Sequence, residues 1–204
     1  MKPSRLILAA TLLLALNFTA KANTVTLGWT AVSDVTVSGY NVYEGGASHT
    51  YTNKVAVSGR NTTTAQFTGL VEGATYYFAA TSVSTNGLES TYSSEISYQV
   101  PFAAPVILTS PTSLTNNSGS TITLSVSASG SNLTYQWLKN GTNLSNGGTV
   151  SGATTATLTL TAVTGLDNGV YTVKVTNPGG SATSAPATLS VIPVAPGNFH
   201  VTGP

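Results

Sequence analysis

One corner and the strand after it limit this chain's folding choices more than any other stretch: Gly165-Leu166-Asp167-Asn168-Gly169-Val170-Tyr171-Thr172-Val173-Lys174-Val175. Asp167, Asn168 and Gly169 favour a tight turn, because short polar side chains bond to nearby backbone and glycine tolerates left-handed φ. Beyond the turn, Tyr171, Val173 and Val175 share one face, since side chains alternate along a strand. Upstream, Tyr135-Gln136-Trp137-Leu138 reads as a strand carrying the only tryptophan of this half. The tryptophan strand and the corner strand are the most constrained stretches of this half.

The same alternation recurs along the chain. Val25, Leu27 and Trp29 alternate with Thr24, Thr26, Gly28 and Thr30, as in a half-buried strand. Gly39-Tyr40-Asn41-Val42-Tyr43 reads as the next strand, broken by Glu44-Gly45-Gly46. Further strands are expected at 51–57, 62–67, 77–83 and 94–100, with Asn86-Gly87 as a hairpin turn. In the second half, Val106-Ile107-Leu108 opens the unit. Ile122, Leu124, Val126 and Ala128 alternate with Ser and Thr as one amphipathic strand, and the Trp137 strand ends at Asn140-Gly141. Ala156-x-Leu158-x-Leu160 and residues 185–191 complete the set. Strands at this spacing, with no stretch of helical period, predict an all-β chain of two tandem antiparallel β-sandwiches.

The residues divide the chain further. Lys2 and Arg5, an apolar run over 6–16 and Ala20-Lys21-Ala22 make residues 1–22 a secretory signal peptide. The apolar run is about half the ~20 residues that span a bilayer, and no later segment is apolar enough, so no membrane span is expected after cleavage. Residues 23–100 form a first domain, Pro101-Phe102-Ala103-Ala104-Pro105 a stiff linker, 106–192 a second domain and 193–204 a tail. Phe102 is either an exposed linker aromatic or packed into the junction.

Family resemblance adds to this reading. On Trp29, Gly39-Tyr40-x-Val42-Tyr43 and Leu70-x-x-Gly73-x-x-Tyr76, residues 23–100 resemble the fibronectin type III family. The resemblance implies a tyrosine corner in which the Tyr76 hydroxyl bonds back to the backbone. It also implies a strand ahead of the tryptophan-bearing one. With residues 1–22 removed that strand is missing unless part of the leader stays attached, leaving about six strands and one less protected edge. On Trp137 and Asp167-x-Gly169-x-Tyr171, residues 106–192 resemble a bacterial immunoglobulin-like domain. Where that family has two cysteines flanking the tryptophan, this chain carries Val126 and Val173, a buried valine pair in place of a disulfide. The family's corner aspartate often pairs with an arginine. This half has none, so Asp167 is expected to cap its own turn. The tail motif Pro196-Gly197-Asn198-Phe199-His200-Val201-Thr202 resembles the opening strand of a further fibronectin type III unit.

Composition removes several function classes. Only 6% of the 204 residues are charged, at a net +1. Loss of Lys2, Arg5 and Lys21 leaves four bases and six acids, a mature charge of −2, which argues against nucleic acid as a partner. The chain has no cysteine, hence no disulfide or thiolate metal site. Glycosidase chemistry needs two carboxylates converging on a cleft. The acids Asp34, Glu44, Glu72, Glu89, Glu95 and Asp167 read instead as solvated turn and strand-end groups. His49 and His200 lie outside any triad or metal motif, so no catalytic residue, metal or cofactor is expected.

The structural core is expected to contain Trp29, Tyr40, Leu70, Tyr76, Val126, Trp137, Asp167, Tyr171 and Val173. Tyr51, Tyr92 and Tyr98, near predicted edges or loops, are the candidate ligand contacts. The functional expectation is a non-enzymatic, secreted or cell-surface spacer or adhesion module. It works through loops 84–90 and 140–148 or an open strand edge, on a protein or polysaccharide at the cell surface. The alternatives are an accessory carbohydrate-binding module of a polysaccharide-degrading system, with sugars stacked on tyrosine, and a fragment of a larger surface protein. Donation of the tail as a strand to a neighbouring copy is a further variant.

Overall fold

The structure, a computed structural model, describes residues 12–13, 24–195 and 197. The signal-peptide reading and the strand resemblance of the tail fall on residues almost wholly outside these. Two compact units divide the chain, Met1–Pro101 and Phe102–Pro204.

In the first unit the strands are β1 (Leu12–Leu13), β2 (Val25–Trp29), β3 (Val37–Gly45), β4 (Asn53–Ser58), β5 (Thr64–Phe67), β6 (Thr75–Ser84) and β7 (Ile96–Gln99). They form two sheets, β1-β2-β5 and β4-β3-β6-β7. The period-2 pattern of β2 does what it dictates: Val25, Leu27 and Trp29 are buried, while Thr26 and Gly28 are only partly so. They meet Tyr40, Val42, Phe67, Leu70 and Phe78 in one core. Each such side chain contributes about 1.5–3 kcal/mol when fully buried. Leu12 and Leu13, inside the expected leader, pair antiparallel with Trp29 and Gly28, so in the full chain the edge of β2 is partly covered, the case in which part of the leader stays attached.

Hydrogen bonds pin the aromatic residues of this core. Tyr40 donates from its hydroxyl to Arg60 O (2.9 Å) and accepts from the Val32 N–H (2.9 Å). Its ring meets that of Trp29 edge-on at 5.2 Å. The half-buried Tyr76 accepts from the Val71 N–H at 3.2 Å, closing the turn before its own strand.

The second unit contains β8 (Val106–Thr109), β9 (Leu114–Asn117), β10 (Ile122–Ser125), β11 (Ser127–Ser129), β12 (Thr134–Lys139), β13 (Thr142–Asn143), β14 (Val150–Ser151), β15 (Thr157–Leu160), β16 (Gly169–Asn177), β17 (Gly180–Thr183) and β18 (Ala187–Ile192). The main sheet runs β13-β12-β16-β18-β9, with β17 also on β16. Against it lie β10-β15-β14 and the pair β11-β8. Trp137 is fully buried among Leu124, Val126, Leu158, Tyr171 and Val173. Its indole N–H donates to Thr155 O at 2.9 Å. The valine pair of positions 126 and 173 lies inside this cluster.

Two features depart from the sequence reading. The alternation from Ile122 to Ala128 predicts one strand, yet it is divided at Val126. Up to Ser125 the partner is β15; from Ser127 it is β8, with a register shift between Ser127 and Ala128. The polar strand β9, Leu-Thr-Asn-Asn, carries no alternation to announce it and joins by parallel pairing with β18.

At the corner, Asp167 ends a single 3-10 turn, Gly165–Asp167. Its carboxylate accepts from the Thr164 N–H at 2.8 Å while the Thr164 hydroxyl accepts from the Leu166 N–H, a reciprocal cap. Asp167 is thus a half-buried capping group rather than a core side chain. The Tyr171 hydroxyl donates to Asp167 O at 2.7 Å.

Part of the 101–105 segment packs on the second unit. Asn177 donates from its side chain to Ala103 O at 2.8 Å. A Cβ on Gly179 would sit 2.3 Å from Phe102 O, so the contact requires glycine there.

Candidate functional site

The outer face of the β4-β3-β6-β7 sheet brings together residues that sequence distance keeps apart. Tyr40 and Val42 of β3 point into the core, so Asn41 and Tyr43 lie on the opposite face. Asn41 pairs with Thr81 of β6, and Tyr43 with Lys54 of β4. After β6 the chain folds back along its own strand instead of entering β7 directly. Glu89 bridges to Val83, and the N–H groups of Ser90 and Ser93 donate to Ser82 O and Ala80 O. The Ser90 and Ser93 hydroxyls accept from the N–H groups of Ser82 and Ala80, replacing the carbonyls of a regular ladder.

This return lays two carboxylates on the face. Glu89 accepts from the Asn41 side-chain amide, from the Tyr43 hydroxyl (2.7 Å) and from the Thr81 hydroxyl (3.1 Å). Lys54 Nζ stands 3.9 Å from it. Burial pushes the Glu89 carboxyl pKa up, but these donors and the lysine outweigh it and hold the group below the usual carboxylate range. Glu95 accepts from the Ser48 hydroxyl (2.6 Å), the His49 N–H (2.6 Å) and the Tyr51 hydroxyl (2.7 Å). The Ser48 bond leads in holding Glu95 low. On the phenol side the direction reverses: burial, then the bond to Glu89, pushes Tyr43 up to about 12. Burial and Glu95 likewise raise Tyr51.

The turn that presents Ser48 and His49 needs a bare backbone. His49 has a left-handed φ of 58°. A Cβ on Gly45 would lie 1.8 Å from Thr50 O, a distance only glycine avoids.

Tyr92 completes the face. Its ring stands edge-on to Tyr43 at 5.0 Å and tilted against Tyr51 at 5.1 Å, yet it stays 52% exposed. Lys54 Nζ lies 5.8 Å above the Tyr43 ring. Of the candidate contacts, the structure therefore brings Tyr51 and Tyr92 together. It does not bring Tyr98, which is 9% exposed in the core cluster. The reason is alternation: Tyr98 falls between Ile96 and Val100 on the inward face. Tyr43, Glu89 and Glu95 belong to the face and were passed over, the two acids as solvated loop groups.

A second feature lies at the end where the 30–36 and 85–88 loops meet. The Thr85 N–H donates to Thr36 O at 2.8 Å. Asp34 accepts from the Thr36 N–H (2.9 Å) and hydroxyl (2.8 Å). Ser84 and Leu88 exchange backbone and side-chain bonds. On these braced loops Val35 and Leu88 are 80% and 68% exposed. The 140–148 loop of the second unit carries no exposed large apolar side chain. Among the described residues no three His, Cys, Asp or Glu side chains gather as a metal site, and no helix is long and apolar enough to cross a membrane.

No curated protein matches the chain. Among solved structures, a chimeric titin Z1Z2 functionalized with a KLER exogenous peptide from decorin is 32% identical over 46% of this chain and 98% of its own, at a TM-score of 0.40. The tandem Ig repeats of Dlar are 17% identical over 84% of this chain and 89% of their own, at 0.43. The family model of the fibronectin type III domain matches residues 14–99, and that of the immunoglobulin domain residues 104–177. The chain is a fibronectin type III domain followed by an immunoglobulin domain, without cysteine in either.

Proposed function

We propose that the protein is a non-enzymatic exported module that adheres to a protein partner at or beyond the cell surface. The paired domains serve as spacer, and the loop end of the fibronectin type III domain serves as the contact. Domains of both families commonly mediate protein–protein interactions and are typically non-catalytic scaffolds. The observation that carries the reading is the pair of apolar tips, Val35 and Leu88, held outward on loops braced by their own hydrogen bonds. A loop already ordered loses less entropy on binding than a loose one. Export is supported by the basic start, apolar run and small-residue site of residues 1–22.

The test is retention of the purified protein on intact host cells and on their extracted surface proteins. The double variant Val35→Asp/Leu88→Asp is expected to lose retention at least about tenfold, because it places two charges where the contact must shed water. Unchanged retention, or retention only on polysaccharide, would remove this reading.

A further inference from the structure

The tyrosine and glutamate face is a separate surface from the loop end, and its chemistry differs. We propose that Tyr92, with Tyr43 and Tyr51 behind it and Glu89 and Glu95 beside it, binds an arginine side chain presented by an extended segment of a partner protein.

Four observations select that occupant. First, Tyr92 offers an exposed ring that is not free to swing, because Tyr43 and Tyr51 contact it from two sides. A fixed aromatic face attracts a cation through its quadrupole. Second, the face already holds one cation, with Lys54 Nζ above Tyr43. Third, each carboxylate accepts three hydrogen bonds from its own domain, Glu89 from Asn41, Tyr43 and Thr81, and Glu95 from Ser48, His49 and Tyr51. Two carboxylate oxygens offer about four lone-pair sites, so Glu89, whose side chain is 35% exposed, keeps acceptor capacity for an incoming guanidinium, while Glu95, at 13%, adds its charge. Their internal donors also favour the charged form at neutral pH. Fourth, residues 24–101 carry five acids (Asp34, Glu44, Glu72, Glu89, Glu95) against two bases (Lys54, Arg60), so this domain is net −3 and attracts basic segments.

The same geometry disfavours other ligands. The three rings are mutually tilted by 45°, 53° and 84°, so they do not form the coplanar row on which consecutive sugar rings would stack. A guanidinium needs only one ring and a flanking carboxylate, and its planar fork matches carboxylate geometry better than an ammonium does.

The experiment titrates the full chain with a peptide carrying two arginines in a glycine–serine background, following the tyrosine ring resonances. A matched peptide with citrulline, the neutral isostere of arginine, and a panel of neutral oligosaccharides run alongside. The arginine peptide is expected to shift the rings of Tyr43, Tyr51 and Tyr92. Citrulline is expected to weaken binding at least about fivefold, and so is Tyr92→Ala, while Tyr92→Phe, which keeps the ring, stays within about twofold. Tyr92→Ala gives up ring contacts with Tyr43 and Tyr51, so the unfolding midpoint of each variant accompanies its titration and confirms that the protein tested is folded. Silence toward the arginine peptide overturns the proposal. So does equal binding of the citrulline peptide, unchanged affinity in a folded Tyr92→Ala protein, or a ring response to oligosaccharide alone.

Discussion

The two tryptophans anchor their domains in opposite polar circumstances. Trp137 is fully buried and its indole N–H donates to Thr155 O. Trp29 is 6% exposed, and its N–H is buried without a hydrogen-bond partner among the described residues. Both rings bring hydrophobic area to a core with no disulfide to help it, but only one also satisfies its polar atom. Leaving a buried donor unpaired costs about 1–3 kcal/mol. The immunoglobulin domain therefore uses its tryptophan twice, for area and for a bond to the turn that leads into β15, while the fibronectin type III domain uses its own once.

Substitution separates these roles. Trp137→Ala and Trp29→Ala should each destabilise their domain by about 3–5 kcal/mol, the cost of removing a large buried aromatic. Phenylalanine breaks the symmetry. Trp137→Phe loses a hydrogen bond and strands the Thr155 carbonyl, whereas Trp29→Phe discards a donor that had no partner. We expect Trp137→Phe to cost about 2 kcal/mol more than Trp29→Phe. Each variant lacks the tryptophan of the domain it destabilises, so urea titration is followed through backbone amide resonances of each domain, which read both values. Equal costs would show that Trp29 finds a partner in solution and would erase the contrast.

The tyrosine corners repeat the comparison at smaller scale. The Tyr171 hydroxyl donates at 2.7 Å to the carbonyl of Asp167 and its side chain is 1% exposed. Tyr76 is half-buried and accepts from an exposed N–H at 3.2 Å. Tyr171→Phe leaves its acceptor poorly hydrated and should cost about 1.5 kcal/mol, against about 0.5 for Tyr76→Phe, where water can replace the bond. Alkali gives a second measure. Burial, then the charge of Asp167, pushes Tyr171 from 10.0 to about 12. A raised folded pKa means that the neutral phenol stabilises the fold. That stability is full below pH 10 and is lost as pH rises through about 12. Tyr171→Phe should remove this alkaline limb from the unfolding curve of the second domain.

What the sequence made legible follows from how far apart the relevant residues lie. Alternation over a few positions located the tryptophan strands, and the turn residues 167–169 located the corner, because both signals are local. The burial of Tyr98 was equally local: Ile96, Tyr98 and Val100 spell one inward face. The tyrosine and glutamate face was not local. Tyr43 meets Glu89 across 46 positions and Tyr51 meets Glu95 across 44. Only the register of β3 with β4 and β6, and the return of the chain along β6, bring them together. The division at Val126 was hidden for a related reason. An unbroken alternation records which face is buried, not which neighbour the strand pairs with.

Acid should produce the smallest effect and the sharpest contrast between domains. The first domain holds Asp34, Glu89 and Glu95 below their usual range, Asp34 through the Thr36 N–H and hydroxyl. The second domain has a single carboxylate side chain, Asp167. A depressed folded pKa contributes stability that is present above the unfolded value and lost as pH falls through the folded one. The ordinary values are 4.5 for the glutamates and 3.8 for Asp34, so the loss begins below about 4.5. These groups are partly solvated and salt screens them, which keeps the effect below that of either tryptophan. Urea midpoints taken at neutral pH and at about pH 3 should fall further for the domain reported by Trp29 than for that reported by Trp137. Glu89→Gln should reduce the difference, because its share of the titration is gone while the side chain keeps its shape. If Glu89→Gln leaves the acid sensitivity of the first domain intact, the hydrogen bonds from Asn41, Tyr43 and Thr81 do not hold an ionised carboxylate.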